Sequence, residues 1–139
     1  MSTRCQVQVI GADSHKVTLY HHTDGYPTNM LPLFQRAFEL SGKDWRATRG
    51  GKCTSFLCAA DPGVFEPEAG HALHGDIEWY YQLHCEGAMH MGAMPEWFVT
   101  VYEVNDFGDR QRKRLVCTRK PLDQAVSEAE QIEKQGEQA

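Results

Sequence analysis

DIEWYYQLHC at residues 76–85 is the stretch that decides the fold class. Every second residue from Ile77 onward is apolar, and such a period of two places these side chains on one face of a β-strand. Further along, Glu96 to Val104 and Arg112 to Arg119 have the composition of strands and flank the turn-forming residues 105–109. The second half of the chain therefore predicts three consecutive antiparallel strands.

The first half predicts a hairpin followed by two helices. Apolar residues alternate in Cys5 to Ile10 and in Lys16 to His22, and a short turn-prone link joins them. A helix is expected from about Met30, with Asn29 as its N-cap, because an apolar stripe of helical spacing starts there. Helical spacing recurs in Cys53 to Ala60.

The remaining stretches complete the prediction. We expect a basic loop from Trp45 to Lys52, a long irregular loop over 61–75, and a last helix that opens at Pro121 and frays over 135–139. The element order is ββααβββα, with short connections. This order predicts an α+β fold: one two-layer sandwich of about five mostly antiparallel strands with helices on one face, spanning residues 1–139 as a single domain.

Composition limits the class of protein. The chain has 139 residues, of which 41% are hydrophobic and 24% charged, and this is typical of one globular domain. It has no run of about 18 apolar residues, and its start leads directly into a strand pattern, so we expect neither a membrane span nor a secretory signal. The five cysteines are an odd number without a C-x-x-C pair. They predict buried thiols in a cytoplasmic protein.

Charge is segregated along the chain. The formal net charge is -5, but residues 53–109 contain ten carboxylates and no Lys or Arg. The flanking segments 1–52 and 110–139 are both net positive. An acidic block of this kind attracts cations and basic macromolecules. A basic protein is therefore the expected partner.

The turn after the second predicted strand carries a recognisable motif. Residues 22–27 read His-Thr-Asp-Gly-Tyr-Pro, and Gly and Pro account for a tight turn into the following helix. This H-x-D-G-Y-P turn resembles one found in small uncharacterised proteins of bacteria and of their phages or prophages. The resemblance implies a phage or prophage origin and carries no particular activity.

Histidines and a carboxylate form one candidate metal site. His71 and His74 stand near Asp76, and His21 or His22 could complete a shell for zinc or another first-row divalent ion. The spacing lacks the Glu of H-E-x-x-H and does not fall on a predicted helix, so solvated loop histidines are the preferred interpretation. We expect no cofactor, with a divalent metal as the alternative.

Methionines mark a candidate partner-binding tip. Met89, His90, Met91 and Met94 lie in the glycine-containing predicted connection from residue 85 to residue 96. Methionine is unbranched and polarizable, and therefore suits adaptable binding surfaces. Soft sulfur donors would also suit Cu(I), but an apolar docking tip is the preferred interpretation.

Cations form a candidate anion site. Arg46, Arg49 and Lys52 surround two glycines just before the helix predicted at Cys53. The free amides of a helix N-terminus attract phosphate or carboxylate. The pattern is not a Walker A loop, and a solvated basic loop is the simpler explanation.

The functional expectation follows from these features. Six basic residues cluster over 110–120, yet no aromatics are interleaved with them, and the sequence pI of 5.8 argues against nucleic-acid binding. No spacing of carboxylates distinguishes an acid–base pair from solvated strand faces, so the sequence is uninformative about catalysis, and an enzyme is the less favoured expectation. The sequence predicts a small cytoplasmic binding or regulatory module that docks on a macromolecular partner through an acidic, methionine-tipped surface. The alternative is a metal-dependent protein, including a hydrolase, built on the His/Asp cluster.

Overall fold

The computed structural model describes residues 3–87, 94–107 and 110–137. It is an α+β structure with one sheet and a layer of helices. The strands are β1 (Cys5–Gly11), β2 (Lys16–His21), β3 (Phe65–Pro67), β4 (Trp79–Glu86), β5 (Glu96–Phe107) and β6 (Arg110–Pro121). The helices are α1 (Pro27–Leu40), α2 (Gly50–Ala60), α3 (Leu122–Ser127) and α4 (Ala129–Glu137), and a 3-10 helix spans Trp45–Thr48.

The six strands follow the order β3-β2-β1-β4-β5-β6 across the sheet. β1 and β4 run parallel at its centre, and all the other neighbours are antiparallel. β6 forms one edge and the three-residue β3 the other. The short parallel pair joins an N-terminal unit of three strands to a C-terminal meander of three strands.

The core lies between the helices and one face of the sheet. The alternating residues of β4 point into it, and Trp79, Tyr81, Leu83 and Cys85 are all at most 3% exposed. α1 contributes Phe34, whose ring packs edge-to-face on Tyr81 with centroids 5.5 Å apart. The period of two therefore identified the core face correctly over residues 79–85, but not at Ile77, which lies in a separate cluster with Tyr80.

The second face of the sheet is partly covered by the connection that leads into β4. The side chain of Gln6 donates to the carbonyl of Ala72 (2.9 Å) and accepts from the amide of His74 (3.3 Å). Ile77 and Tyr80 form a small buried cluster on this side. The predicted irregular loop thus packs across the sheet.

Two sheet predictions were wrong. The structure has six strands instead of about five, because Phe65–Pro67 pairs with β2 inside the predicted irregular loop. Three residues that end in proline are too short to show a period of two. The parallel β1–β4 pair was also missed, because it joins Cys5 to Trp79 across most of the chain. β4 starts at Trp79 and not at Asp76.

The helix boundaries also differ from the predicted ones. α1 begins at Pro27, not near Met30, since proline suits a first helical position. Asn29 lies inside the helix, and its side chain donates to the carbonyl of Asp24 (2.8 Å). The predicted basic loop is replaced by the 3-10 helix and by α2, which starts at Gly50.

The end of the chain differs in part. The last helix is divided into α3 and α4, and α4 continues to Glu137 where fraying was predicted. The centre of the turn predicted over 105–109 lies outside the described residues. Among the helices that the structure describes, none combines the length and apolar character needed to cross a bilayer.

Candidate binding sites

An open groove lies at the end of the sheet where β5 begins. It has a volume of about 500 Å³, and we call it the Met94 groove. Its floor contains Trp97 and Leu122, which are 3% and 4% exposed, and the ring of Phe38 packs edge-to-face on Trp97 (5.2 Å). Met94 stands at the opening with 62% of its surface exposed. The groove therefore offers an apolar floor and an adaptable apolar side chain at its rim.

Three charged side chains line the Met94 groove. Glu96 of β5 and Asp123 of α3 supply carboxylates, and Lys43 supplies one cation. All three are exposed. Neither carboxylate belongs to an ion pair within residues 3–87, 94–107 and 110–137. The groove consequently has a net negative rim.

Part of the predicted acidic block is neutralised by β6. Arg114 forms an ion pair with Glu103 (3.2 Å), and Arg119 forms one with Glu86. Glu96 belongs to this block and forms no ion pair among the described residues, so the local charge at the groove rim matters more for binding than the total charge of the block. Three members of the predicted methionine tip, Met89, His90 and Met91, lie outside the described residues.

All three cations of the predicted anion site line one cavity. Arg46, Arg49 and Lys52 border a volume of about 430 Å³, which we call the basic cavity. His15 and Asp13 complete it from the β1–β2 turn. The sequence therefore identified the cationic side of this cavity and missed the side that the turn supplies.

The turn and α2 are held together at close range. Asp13 Oδ1 accepts from the amides of His15 (3.1 Å) and Gly50 (3.2 Å). Burial alone would raise the pKa of Asp13, but these two hydrogen bonds lower it below its ordinary value. A Cβ at Gly50 would lie 2.3 Å from the carbonyl oxygen of His15, so only glycine fits there. This contact fixes His15 beside the start of α2.

The charge of the basic cavity is partly balanced. Arg46 donates to Asp44 (2.6 Å), and hydrogen bonds from its side chain and amide lower the pKa of that carboxyl to about 2. Arg49 and Lys52 form no ion pair within the part of the chain that the structure describes. The first amide of α2 that bonds along the helix is that of Cys53, which donates to the carbonyl of Arg49 (2.8 Å). The cavity thus combines two cations outside ion pairs with a helix start at which the N-cap residue Arg49 supplies no side-chain cap and Asp13 holds the first amide, that of Gly50.

A polar cluster surrounds His74 on the second face of the sheet, and we call it the His74 cluster. His74 Nδ1 lies 2.7 Å from Glu68, and its Nε2 lies 3.6 Å from Asp76. Its ring stacks on Tyr20 at 4.1 Å, and the Tyr20 hydroxyl donates to Asp76 (2.9 Å). Burial first, and then the Asp76 carboxylate, raise the pKa of Tyr20 to about 12.

Among the other predicted metal ligands, His22 contacts this cluster, because its ring packs edge-to-face on Tyr20 with centroids 4.7 Å apart. His71 bonds to the Thr18 hydroxyl (2.7 Å), and His22 lies 3.0 Å from Glu66. His21 belongs to the core face, because successive residues of β2 point to opposite sides of the sheet. In the described ranges, no three His, Cys, Asp or Glu side chains are grouped so that they could hold one ion. The metal site stays a prediction.

His21 is 1% exposed and is held by one partner. Its Nε2 lies 2.8 Å from Asp61, at the end of α2, and its ring packs edge-to-face on Phe65 (4.7 Å). Its Nδ1 is buried without a hydrogen-bond partner. Because Nδ1 has no acceptor nearby for a proton, this arrangement favours the tautomer in which Nε2 carries the proton and donates to Asp61. Nδ1 then keeps an unpaired lone pair. The pair links β2 to the end of α2.

Comparisons of the chain with protein-family models, with curated proteins and with solved structures found no match.

Proposed function

We propose that this chain is a binding module that docks on another protein, and that the Met94 groove holds an apolar side chain of that partner. The observation that supports the proposal is an open volume of about 500 Å³ with a buried apolar floor beside the exposed Met94. A concave apolar site with a few polar groups is the usual form of a binding site. The groove is formed by α1, β5, β6 and α3, so its shape depends on the whole helix layer.

The charge of the rim defines the partner. Glu96 and Asp123 outnumber Lys43, so the groove favours a segment that carries Lys or Arg next to its apolar side chain. The net charge of -5 adds a long-range attraction for the same kind of segment. Salt weakens such an attraction, because the Debye length falls to about 8 Å at physiological ionic strength.

Met94 allows this surface to accept partner side chains of different shape. The Met94 side chain has no branched carbon and a polarizable sulfur, so it adjusts to side chains of different shape. The floor residues Trp97 and Leu122 are fixed by packing and do not adjust. We propose that the fixed floor sets the size of the accepted side chain and that Met94 closes over it.

The proposal places this module in the cytoplasm, with a phage or prophage origin. The cytoplasmic location is supported by the odd number of cysteines without a C-x-x-C pair and by the burial of Cys5 as a thiol. The origin is supported by the H-x-D-G-Y-P turn at residues 22–27.

Selection from a library of random peptides displayed against the wild-type protein tests the docking function. We expect enriched peptides to combine an aliphatic or aromatic residue with Lys or Arg. The best peptide should lose at least tenfold in affinity for Met94→Lys, because a charge at the rim would repel its cation and would have to be desolvated. Leu115→Lys is the matched control, since Leu115 is 49% exposed on β6 outside the groove.

The control decides the location of the site. Equal loss of binding in Met94→Lys and Leu115→Lys would contradict docking in the groove, and so would enrichment of acidic peptides. Chemical-shift changes of the Trp97 indole on peptide addition provide an independent readout, because that indole donates to the Ala47 carbonyl (3.2 Å) beneath the groove.

A further inference from the structure

We propose that Cys53 and Cys85 form a disulfide bond when the chain folds or opens in the presence of an oxidant, and that this bond cross-links α2 to β4. The two sulfur atoms are in contact at 2.6 Å, and both residues are 0% exposed. No other two cysteine sulfurs are in contact within the described residues. This inference does not depend on the docking proposal.

The fold brings these two cysteines together from distant parts of the sequence. Cys53 lies in the first turn of α2, which packs on the core face of the sheet. Cys85 is the next-to-last residue of β4 and points to the same face as Trp79, Tyr81 and Leu83. Their side chains therefore meet between the helix layer and the sheet. The register that buries the alternating residues of β4 also sets this contact.

Burial controls the reactivity of the pair. It raises the pKa of the Cys53 thiol well above its ordinary value, and the neighbouring Cys85 raises it further. Only the thiolate attacks a disulfide, so the folded reduced protein reacts slowly. The bond forms readily while the chain folds or opens, when both thiols reach solvent. Once formed, it is shielded from reductants by the same packing.

The oxidant is a small disulfide such as oxidised glutathione. One cysteine thiolate attacks it, forms a mixed disulfide and releases one glutathione thiol. The thiolate of the second cysteine then attacks the protein sulfur of the mixed disulfide and displaces the second glutathione thiol. The two cysteine protons pass to the two glutathione molecules. In balance, two protein thiols are oxidised to one disulfide, and one glutathione disulfide is reduced to two thiols.

The cross-link would join the two regions that carry the candidate sites. Lys52 of the basic cavity directly precedes Cys53, and β4 ends one residue after Cys85. After β4, a Cβ at Gly87 would lie 3.0 Å from the carbonyl oxygen of Met94, so the strand end approaches the groove segment closely. A disulfide would therefore fix the start of α2 against the base of the groove.

Refolding of the reduced protein in a mixture of oxidised and reduced glutathione tests the pair. After alkylation of free thiols and proteolysis, we expect one cross-linked peptide that contains Cys53 and Cys85, out of ten possible pairings of five cysteines. The oxidised protein should melt about 10 °C higher than the reduced protein, because the bond closes a loop of more than 30 residues. Its reduction by dithiothreitol should be at least tenfold slower when it is folded than in guanidinium chloride.

Variants and the wild-type peptide map decide the outcome together. Cys58→Ser and Cys117→Ser remove the two partly exposed cysteines and should keep the cross-link and the higher melting temperature. Cys85→Ala should lose both. A different pairing, a mixture of pairings, or recovery of only reduced protein would overturn the proposal. The peptide map of the wild-type chain identifies the pairing even if Cys85→Ala does not fold.

Discussion

The close approach of α2 to the β1–β2 turn predicts opposite results for two neighbouring glycines. In Gly50→Ala, the new Cβ would lie 2.3 Å from the carbonyl oxygen of His15, and backbone must move to relieve the contact. In Gly51→Ala, the nearest atoms are the ring atoms of His15 at 3.7 Å, which is ordinary contact. The same substitution therefore meets the backbone of His15 at one position and only ordinary van der Waals contact at the next.

The expected loss of stability in Gly50→Ala follows from the contacts that the new methyl group would disturb. Overpacking against backbone costs about 1–3 kcal/mol, and weakening the Gly50 hydrogen bond to the Asp13 carboxylate costs about 1.5–3 kcal/mol. Alanine recovers at most about 1 kcal/mol of helix propensity. We expect Gly50→Ala to lower the free energy of unfolding by about 3 kcal/mol and the melting temperature by about 10 °C. Gly51→Ala should leave stability unchanged or raise it by up to about 1 kcal/mol.

Urea unfolding followed by tryptophan fluorescence measures both variants. The slope of the transition should match that of the wild type, since the surface exposed on unfolding is the same. If Gly50→Ala is as stable as the wild-type protein, the packing of α2 on the turn is wrong. If both variants lose the same stability, the cost belongs to lost glycine flexibility and not to the contact with His15.

Three further predictions concern the other sites. Tyr20 has a pKa of about 12 in the folded protein, above its ordinary value of 10.0, so the folded state holds the hydroxyl proton more tightly. The stability that this bound proton supplies is complete below pH 10 and is lost as pH rises from 10 to 12. Over this range, the urea midpoint of Tyr20→Phe should therefore fall less than that of the wild-type protein. Parallel curves of midpoint against pH would refute the raised pKa. Tyr81→Phe should cost about 1–3 kcal/mol in urea unfolding, because the Tyr81 hydroxyl donates to the buried carbonyl of Gly25 (2.6 Å); no loss would mean that water replaces the bond. Phosphate titration should shift the Gly51 amide in NMR spectra, and alanine at all three cations of the basic cavity should abolish this; surviving shifts would place the anion elsewhere.

The sequence was informative wherever local periodicity was strong. The alternation in residues 76–85 predicted the buried face of β4, and the apolar stripe after Pro27 predicted α1. The three cations of the basic cavity lie within seven residues, so a single helix start brings them together. Short-range features of this kind need no knowledge of the remaining chain.

The features that were missed depend on long-range pairing. His15 reaches the basic cavity from a turn more than 30 residues before Arg49, and no local pattern links the two. The floor of the Met94 groove combines residues of α1, β5 and α3. Periodicity predicts that these residues are buried, but it does not show which of them border a groove at the surface.

The position of His21 could have been predicted. It alternates with Val17 and Leu19, so a period of two already placed it on the core face. His22 follows it directly and therefore points to the opposite face. Because the two histidines point to opposite faces of the sheet, they could not both bind the same metal ion.

The central position of β1 has a consequence for folding during synthesis. β1 pairs with β2 within a short hairpin, but its other partner, β4, pairs Trp79 with Cys5 and emerges from the ribosome more than 70 residues later. Until then, one edge of β1 and the side chains of Val7 and Val9 lack their β4 neighbours. Closing so long a loop loses more chain entropy than closing the short β1–β2 hairpin does. During synthesis, β1 therefore has one unpaired edge until the C-terminal meander of β4, β5 and β6 has emerged and completes the sheet.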